Sequence, residues 1–134
     1  NGNKNGIPWN IGIQNPLSSV DNATTTISNK NYNFLAIATS GEYRNFKLDE
    51  YGNKVTHTIN PKTLSSIKNK ILSVTVVNDY SATYADAYAT AFNAMGLNRA
   101  IEVANNENIA IMVIYQNNEA VKINYSDKWY DLFQ

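Results

Sequence analysis

"ILSVTVVNDYSATYADAYATAFNAMG", residues 71–96, carries two periodicities separated by a short polar break. Its first eight residues are β-branched and apolar on both faces, the pattern of a strand covered from both sides and therefore central in its sheet. After the break, Ala82, Ala85, Ala89, Phe92 and Met95 recur at intervals of three and four, which predicts a helix. Ser81 stands where an N-cap hydroxyl accepts from free backbone amides, and Gly96 stands where a helix stops. A stripe made mostly of alanine brings that helix close to something flat.

Working outward, "IPWNIGIQNP" alternates Ile7, Trp9, Ile11 and Ile13 on one face and closes at Asn-Pro. Residues 24–27, "TTTI", read as a weak second strand, and "YNFLAIATSG" as a stronger third that ends at Gly41. In "EYRNFKLDEYGNKVTHTINP", Tyr43 and Phe46 alternate with polar residues before a turn at "YGNK". The chain then returns through Val55, His57 and Ile59, which predicts an antiparallel hairpin. Downstream come a short helix over 98–104, the strands "IAIMVIY" and "AVKINY", and an aromatic tail, "SDKWYDLF". Strands, then two helices, then strands predict an α+β fold: one antiparallel sheet with two helices on one face, in a single domain spanning 1–134.

Composition narrows the function classes. The chain has 134 residues, 43% of them hydrophobic and 16% charged, which suits a packed globular core. Lys plus Arg and Asp plus Glu number 11 each, so no net field draws the chain to nucleic acid, and any phosphate must be held locally. There is no cysteine, which removes disulfides, thiolate metal sites and cysteine nucleophiles. No apolar run reaches the roughly 18–20 residues that span a bilayer. The opening "NGNKNG", residues 1–6, reads as a turn, which raises the question of what precedes it.

Three constellations bear chemistry. Asp86 and Thr90 are four residues apart, which stacks a carboxylate and a hydroxyl on one helix face. Two hard oxygens so placed suit Mg²⁺, although Asp86 could equally complement the helix dipole while Thr90 packs. Thr39, Ser40 and Gly41 end a strand with hydroxyls and a residue that lets backbone amides approach a phosphate, or else form an ordinary turn. Arg44 beside them reaches either a phosphate or the carboxylates of Glu42 and Asp49. His57, the only histidine, precedes Pro61 by four residues; it is either a proton acceptor near neutral pH or a structural hydrogen-bonding residue. Pro61 holds the turn extended and aims what precedes it.

The order "TSGEYRNF", "HTINPKT", "SVTV", "ADAYATAFNAMG", with "PWNIGIQNP" upstream, resembles the C-terminal half of the ApbE family of FAD:protein FMN transferases. The resemblance runs from about Ile7 to Gly96 and rests on four motifs in order. Two departures stand out. Leu64 occupies a position where the family commonly has glycine, and the family's N-terminal half has no counterpart here, so the chain is expected to be a C-terminal portion that presents half a site.

The resemblance implies the second copy of a duplicated T-fold. It implies FAD as substrate, Mg²⁺ as cofactor, and transfer of FMN to a threonine hydroxyl of an acceptor flavoprotein with release of AMP. Asp86 and Thr90 would ligate the metal. Thr39, Ser40 and Gly41 would line the flavin nucleotide, Lys62 would add positive charge at the pyrophosphate, and His57 would contact FAD near its phosphates and accept the acceptor's proton. It also implies an intact protein held outside the cytoplasm by an N-terminal lipid. A metal-dependent FAD pyrophosphatase is one alternative, since water and a threonine hydroxyl are similar nucleophiles, and a flavin-binding half-domain without turnover is another, suggested by the missing N-terminal portion and by Leu64.

Overall fold

The computed structural model describes residues 3–17, 22–41, 46–48, 50–52, 54–56, 58–67, 69–118 and 120–133. The chain opens with a small hairpin, β1 (Asn3–Lys4) and β2 (Ile7–Pro8), turned at Asn5 and Gly6, whose φ angles of 56° and 82° explain the Asn-Gly pair. β3 (Asn10–Gln14) pairs antiparallel with β4 (Ala23–Ser28), so the weak "TTTI" strand exists because a partner supports it.

The main sheet has four strands: β5 (Ala36–Gly41) and, beyond two short hairpins, β10 (Ile71–Asn78), β11 (Ala110–Asn117) and β12 (Ala120–Tyr125). They lie in the order β12-β11-β10-β5 with every neighbouring pair antiparallel. β10 is internal, as its double-sided apolar pattern requires, and β5 closes one end of the sheet. The two short hairpins are β6 (Phe46–Leu48) with β7 (Lys54–Thr56), and β8 (Ile59–Asn60) with β9 (Ser65–Ser66). Ile59 therefore belongs to a second hairpin and not to the return arm of the first. Pro61 makes the difference, because it cannot extend a ladder and starts a tight turn. Tyr43 and His57 lie outside the described residues.

α1 (Ala82–Met95) and α2 (Leu97–Asn106) cover one face of the sheet, as expected. Ala85, Ala89 and Phe92 from α1 and Ala100 and Ala104 from α2 are buried against Val74, Val76, Ile111 and Val113. Gly96 ends α1 and starts α2 at a φ of 80° and a ψ of 164°, a conformation open essentially to glycine alone that costs a side-chain-bearing residue roughly 1–3 kcal/mol. The "SDKWYDLF" segment departs from the expected tail: α3 (Asp127–Phe133) is a helix on the opposite face. Trp129 is buried there with Ile13, Ile27, Val77, Met112 and Ile114, and its ring lies 4.9 Å from that of Phe133 one turn on. An i,i+4 aromatic pair supplies the burial that seven residues need in order to stay helical. Ser126 ties this helix to the sheet, its Oγ accepting from Ile111 N at 2.9 Å and donating to Ile109 O at 2.8 Å.

Candidate functional site

The strand-to-helix turn that launches α1 is fixed by side chains. Asn78 Oδ1 accepts from Tyr80 N at 3.0 Å and Ser81 N at 2.7 Å, while its Nδ2 donates to Ser81 O at 3.0 Å. Ser81 then caps the helix, accepting from Tyr84 N at 3.3 Å. β10 and α1 are thus joined without slack, and each residue on α1 has a defined direction relative to the sheet.

Asp86 and Thr90 are both exposed. Asn93, three residues beyond Thr90, is buried and donates from Nδ2 to Ser40 Oγ on β5 at 3.3 Å. The i, i+4, i+7 spacing puts Asp86, Thr90 and Asn93 along one flank of α1, and the Asn93 bond shows that this flank looks toward β5. Two structural explanations of the pair lose force. Asp86 is the fifth residue of the helix, and α1 has no acidic residue in its first turn, where the dipole acts. Thr90 is exposed and stands outside the buried core of α1. What remains is a carboxylate and a hydroxyl, both open, above the strand that ends the sheet.

Hard oxygens of this kind fit Mg²⁺, which accepts one or two protein ligands and fills its octahedron with water and substrate phosphate. Among the described residues no group of three or more His, Asp or Glu gathers to hold an ion, so the pair would supply a partial ligand set.

The remaining predicted residues scatter. Alternation along β5 sends Ser40 to the α1 side, with Ala36 and Ala38, and Thr39 to the opposite face, where its Oγ1 meets Thr75 Oγ1 at 2.8 Å. Gly41 is the last residue of β5, opposite Ser73. Ser40 is therefore the hydroxyl that shares a face with Asp86 and Thr90. Lys62 is exposed in the β8–β9 turn, where its N donates to Asn60 Oδ1 at 2.9 Å. In the same turn Leu64 N donates to Asn60 O at 2.8 Å, and Leu64 adopts a φ of 53°. The family's preference for glycine at this position matches that angle. His57, Arg44, Glu42 and Asp49 lie outside the described residues.

Residues that sequence reasoning passed over include Asn93, hidden among the alanines, and Asn69, whose Nδ2 donates to Asn93 O at 2.6 Å. A polar residue seven after Asp86 in an apolar stripe was the available signal. The other flank of α1 carries an aromatic ladder, Tyr80, Tyr84, Tyr88 and Phe92, with successive ring centroids 5.9, 6.2 and 5.6 Å apart. Desolvation, then the neighbouring Tyr88 and Tyr84 and the Asp79 carboxylate, push the Tyr80 phenol above its ordinary range. A cleft of about 310 Å³ opens near this ladder, lined by Tyr32, Asn78, Asp79, Tyr80, Glu107 and Lys128 among others, and none of the predicted residues among those described borders it.

Fold and site together define an α+β domain that presents an oxygen pair from an alanine-faced helix toward the last strand of an antiparallel sheet. The chain belongs to the ApbE family, whose model matches residues 1–113. It is similar to the FAD:protein FMN transferase of Vibrio cholerae, 36% identical over 120 residues that make up 90% of this chain and 34% of that protein. The Escherichia coli protein of the same name is 35% identical over 121 residues, again 90% of this chain and 33% of the other. Among solved structures, Pseudomonas stutzeri flavinyl transferase ApbE in its apo form superposes with a TM-score of 0.79 at 26% identity, covering 98% of this chain and 39% of that one. The ApbE protein of Thermotoga maritima gives 0.78 at 27%, covering 99% and 41%. The chain thus spans about a third of the length of the relatives it matches.

Proposed function

We propose that the protein containing this chain transfers FMN from FAD to a threonine hydroxyl of an acceptor protein and releases AMP, with Mg²⁺ required. The observation that carries the reading is the exposure of Asp86 and Thr90 on the β5-facing flank of α1, in a chain that belongs to the ApbE family. The names of the relatives, FAD:protein FMN transferase, support the reaction type.

In this reading the Asp86 carboxylate and Thr90 hydroxyl hold the ion. An ion held by these two residues would supply Lewis-acid neutralisation of charge on the pyrophosphate. Ser40, on the same face, orients the nucleotide, and Lys62 adds positive charge beside the phosphates. The acceptor's threonine Oγ attacks the FMN phosphorus. A new O–P bond forms as the pyrophosphate O–P bond breaks, the hydroxyl proton passes to His57, and AMP departs with the bridging oxygen. The rest of the site comes from the part of the protein that this chain does not span. An extracytoplasmic, lipid-tethered location belongs to the same proposal and is supported by the family resemblance alone.

The test offers the intact protein FAD, Mg²⁺ and an acceptor peptide containing threonine, and reads covalent flavin fluorescence on a denaturing gel beside AMP release. Fluorescent acceptor with equimolar AMP is expected. AMP without labelled acceptor would establish the pyrophosphatase instead, and bound FAD without AMP would establish a flavin-binding protein.

A further inference from the structure

Asn93 is wholly buried in α1, on the flank it shares with Asp86 and Thr90. Its buried companions on that helix, Ala85, Ala89 and Phe92, are apolar. An amide among them carries a desolvation penalty that only hydrogen bonds offset. Two contacts fix the residue, one made by the side-chain amide and one by the main chain. The side chain reaches Ser40 Oγ on β5 at 3.3 Å, and the main-chain carbonyl accepts from Asn69 Nδ2 at 2.6 Å. Asn69 is itself pinned, since its Oδ1 accepts from Ile71 N at 2.9 Å, at the start of β10.

The alanine stripe makes this attachment consequential. Methyl groups pack α1 close to the sheet but offer little to define its rotation or its position along its axis, whereas a single buried polar residue in an apolar seam specifies register. A slip of one residue moves a helix by about 1.5 Å and turns it by about 100°. Mg²⁺ demands ligands near 2.0–2.1 Å in a near-ideal octahedron, so even a fraction of that slip removes a ligand.

We propose that Asn93 is a positioning residue: through its side-chain bond to Ser40 it fixes the register of α1 over β5 and so holds the Asp86 and Thr90 oxygens where a divalent cation needs them. The inference rests on the metal reading of Asp86 and Thr90. The test measures Mn²⁺, as a spectroscopic substitute for Mg²⁺, bound to the intact protein without FAD, by the loss of the free-ion electron paramagnetic resonance signal. Thermal midpoints are taken on the same samples. Asn93→Leu keeps the branched shape of the side chain and removes the amide; about tenfold weaker Mn²⁺ binding by the folded variant is expected, the lower end of what losing an orienting partner costs a metal site. Ser40→Ala removes the partner instead and carries the test if Asn93→Leu fails to fold; weakening of severalfold is expected. A purely packing role would lower the thermal midpoint and leave Mn²⁺ affinity unchanged, and that result overturns the proposal. Asp86→Ala separates the two levels: if it binds Mn²⁺ as the parent does, the metal reading fails and this inference with it. If it loses the ion while Asn93→Leu and Ser40→Ala do not, only the positioning role falls.

Discussion

Replacing Leu64 with glycine relieves a backbone strain that no packing offsets. Leu64 sits at a φ of 53°, in the left-handed region, and is 81% exposed. Its backbone is held there because its N–H donates to Asn60 O at 2.8 Å, closing the turn between β8 and β9. The left-handed conformation costs a residue with a Cβ roughly 1–2 kcal/mol. Glycine escapes that cost but gives up roughly 0.4–1 kcal/mol through the greater freedom of its unfolded chain. The balance favours Leu64→Gly by about 1 kcal/mol. For a cooperative unit of 134 residues, an unfolding entropy of roughly 2.1 cal/mol/K per residue converts this to a rise of about 3–4 °C in Tm. Leu64→Ala is the control, since it removes the same side chain and keeps the strain; its Tm should match the parent within about a degree, because surface truncation is worth at most about 0.5 kcal/mol. Calorimetry or circular dichroism melts of the three proteins decide the matter. Glycine and alanine variants with equal midpoints would refute the reasoning, because the Gly–Ala difference isolates the backbone contribution.

Gly96→Ala should destabilise by about 1–3 kcal/mol, seen as a lowered urea midpoint, because the α1–α2 junction needs a φ of 80° with a ψ of 164° even though space for a Cβ exists. Ser126→Ala should cost about 1–3 kcal/mol in the same assay, since it strands the buried Ile111 amide and Ile109 carbonyl that the hydroxyl serves. Desolvation, with neighbouring phenols, raises the Tyr80 and Tyr125 phenols, so the folded state binds more protons than the unfolded one above about pH 10. Stability should therefore hold below that pH and fall as pH rises beyond it, with Tyr80→Phe flattening the slope; a urea midpoint that rises through this range contradicts the assignment.

The main sheet and its helical cover were legible because their signals are local and periodic. Residues 71–78 are apolar on both faces as an inner strand demands, and Ser81 and Gly96 mark the ends of α1 in the sequence. α3 was not legible, because seven residues hold too little periodicity and its burial depends on Ile13, Ile27 and Met112, remote in sequence. Asp86 and Thr90 could be paired from their spacing, but their exposure comes only from tertiary context. Thr39 and Ser40 read as one motif and diverge because strand alternation sends neighbours to opposite faces. Asn93 reads in the sequence as one more helix residue, because its partner Ser40 lies 53 residues away.

The central claim is that the Asp86–Thr90 pair serves phosphoryl transfer from FAD. Its most direct test is the rate of AMP release and of flavin attachment by the intact protein at saturating FAD and Mg²⁺, for the parent and for Asp86→Ala. A loss of about hundredfold or more in both rates, with the fold retained, is predicted for removal of a ligand to the ion. Rates in Asp86→Ala equal to those of the parent would contradict the account.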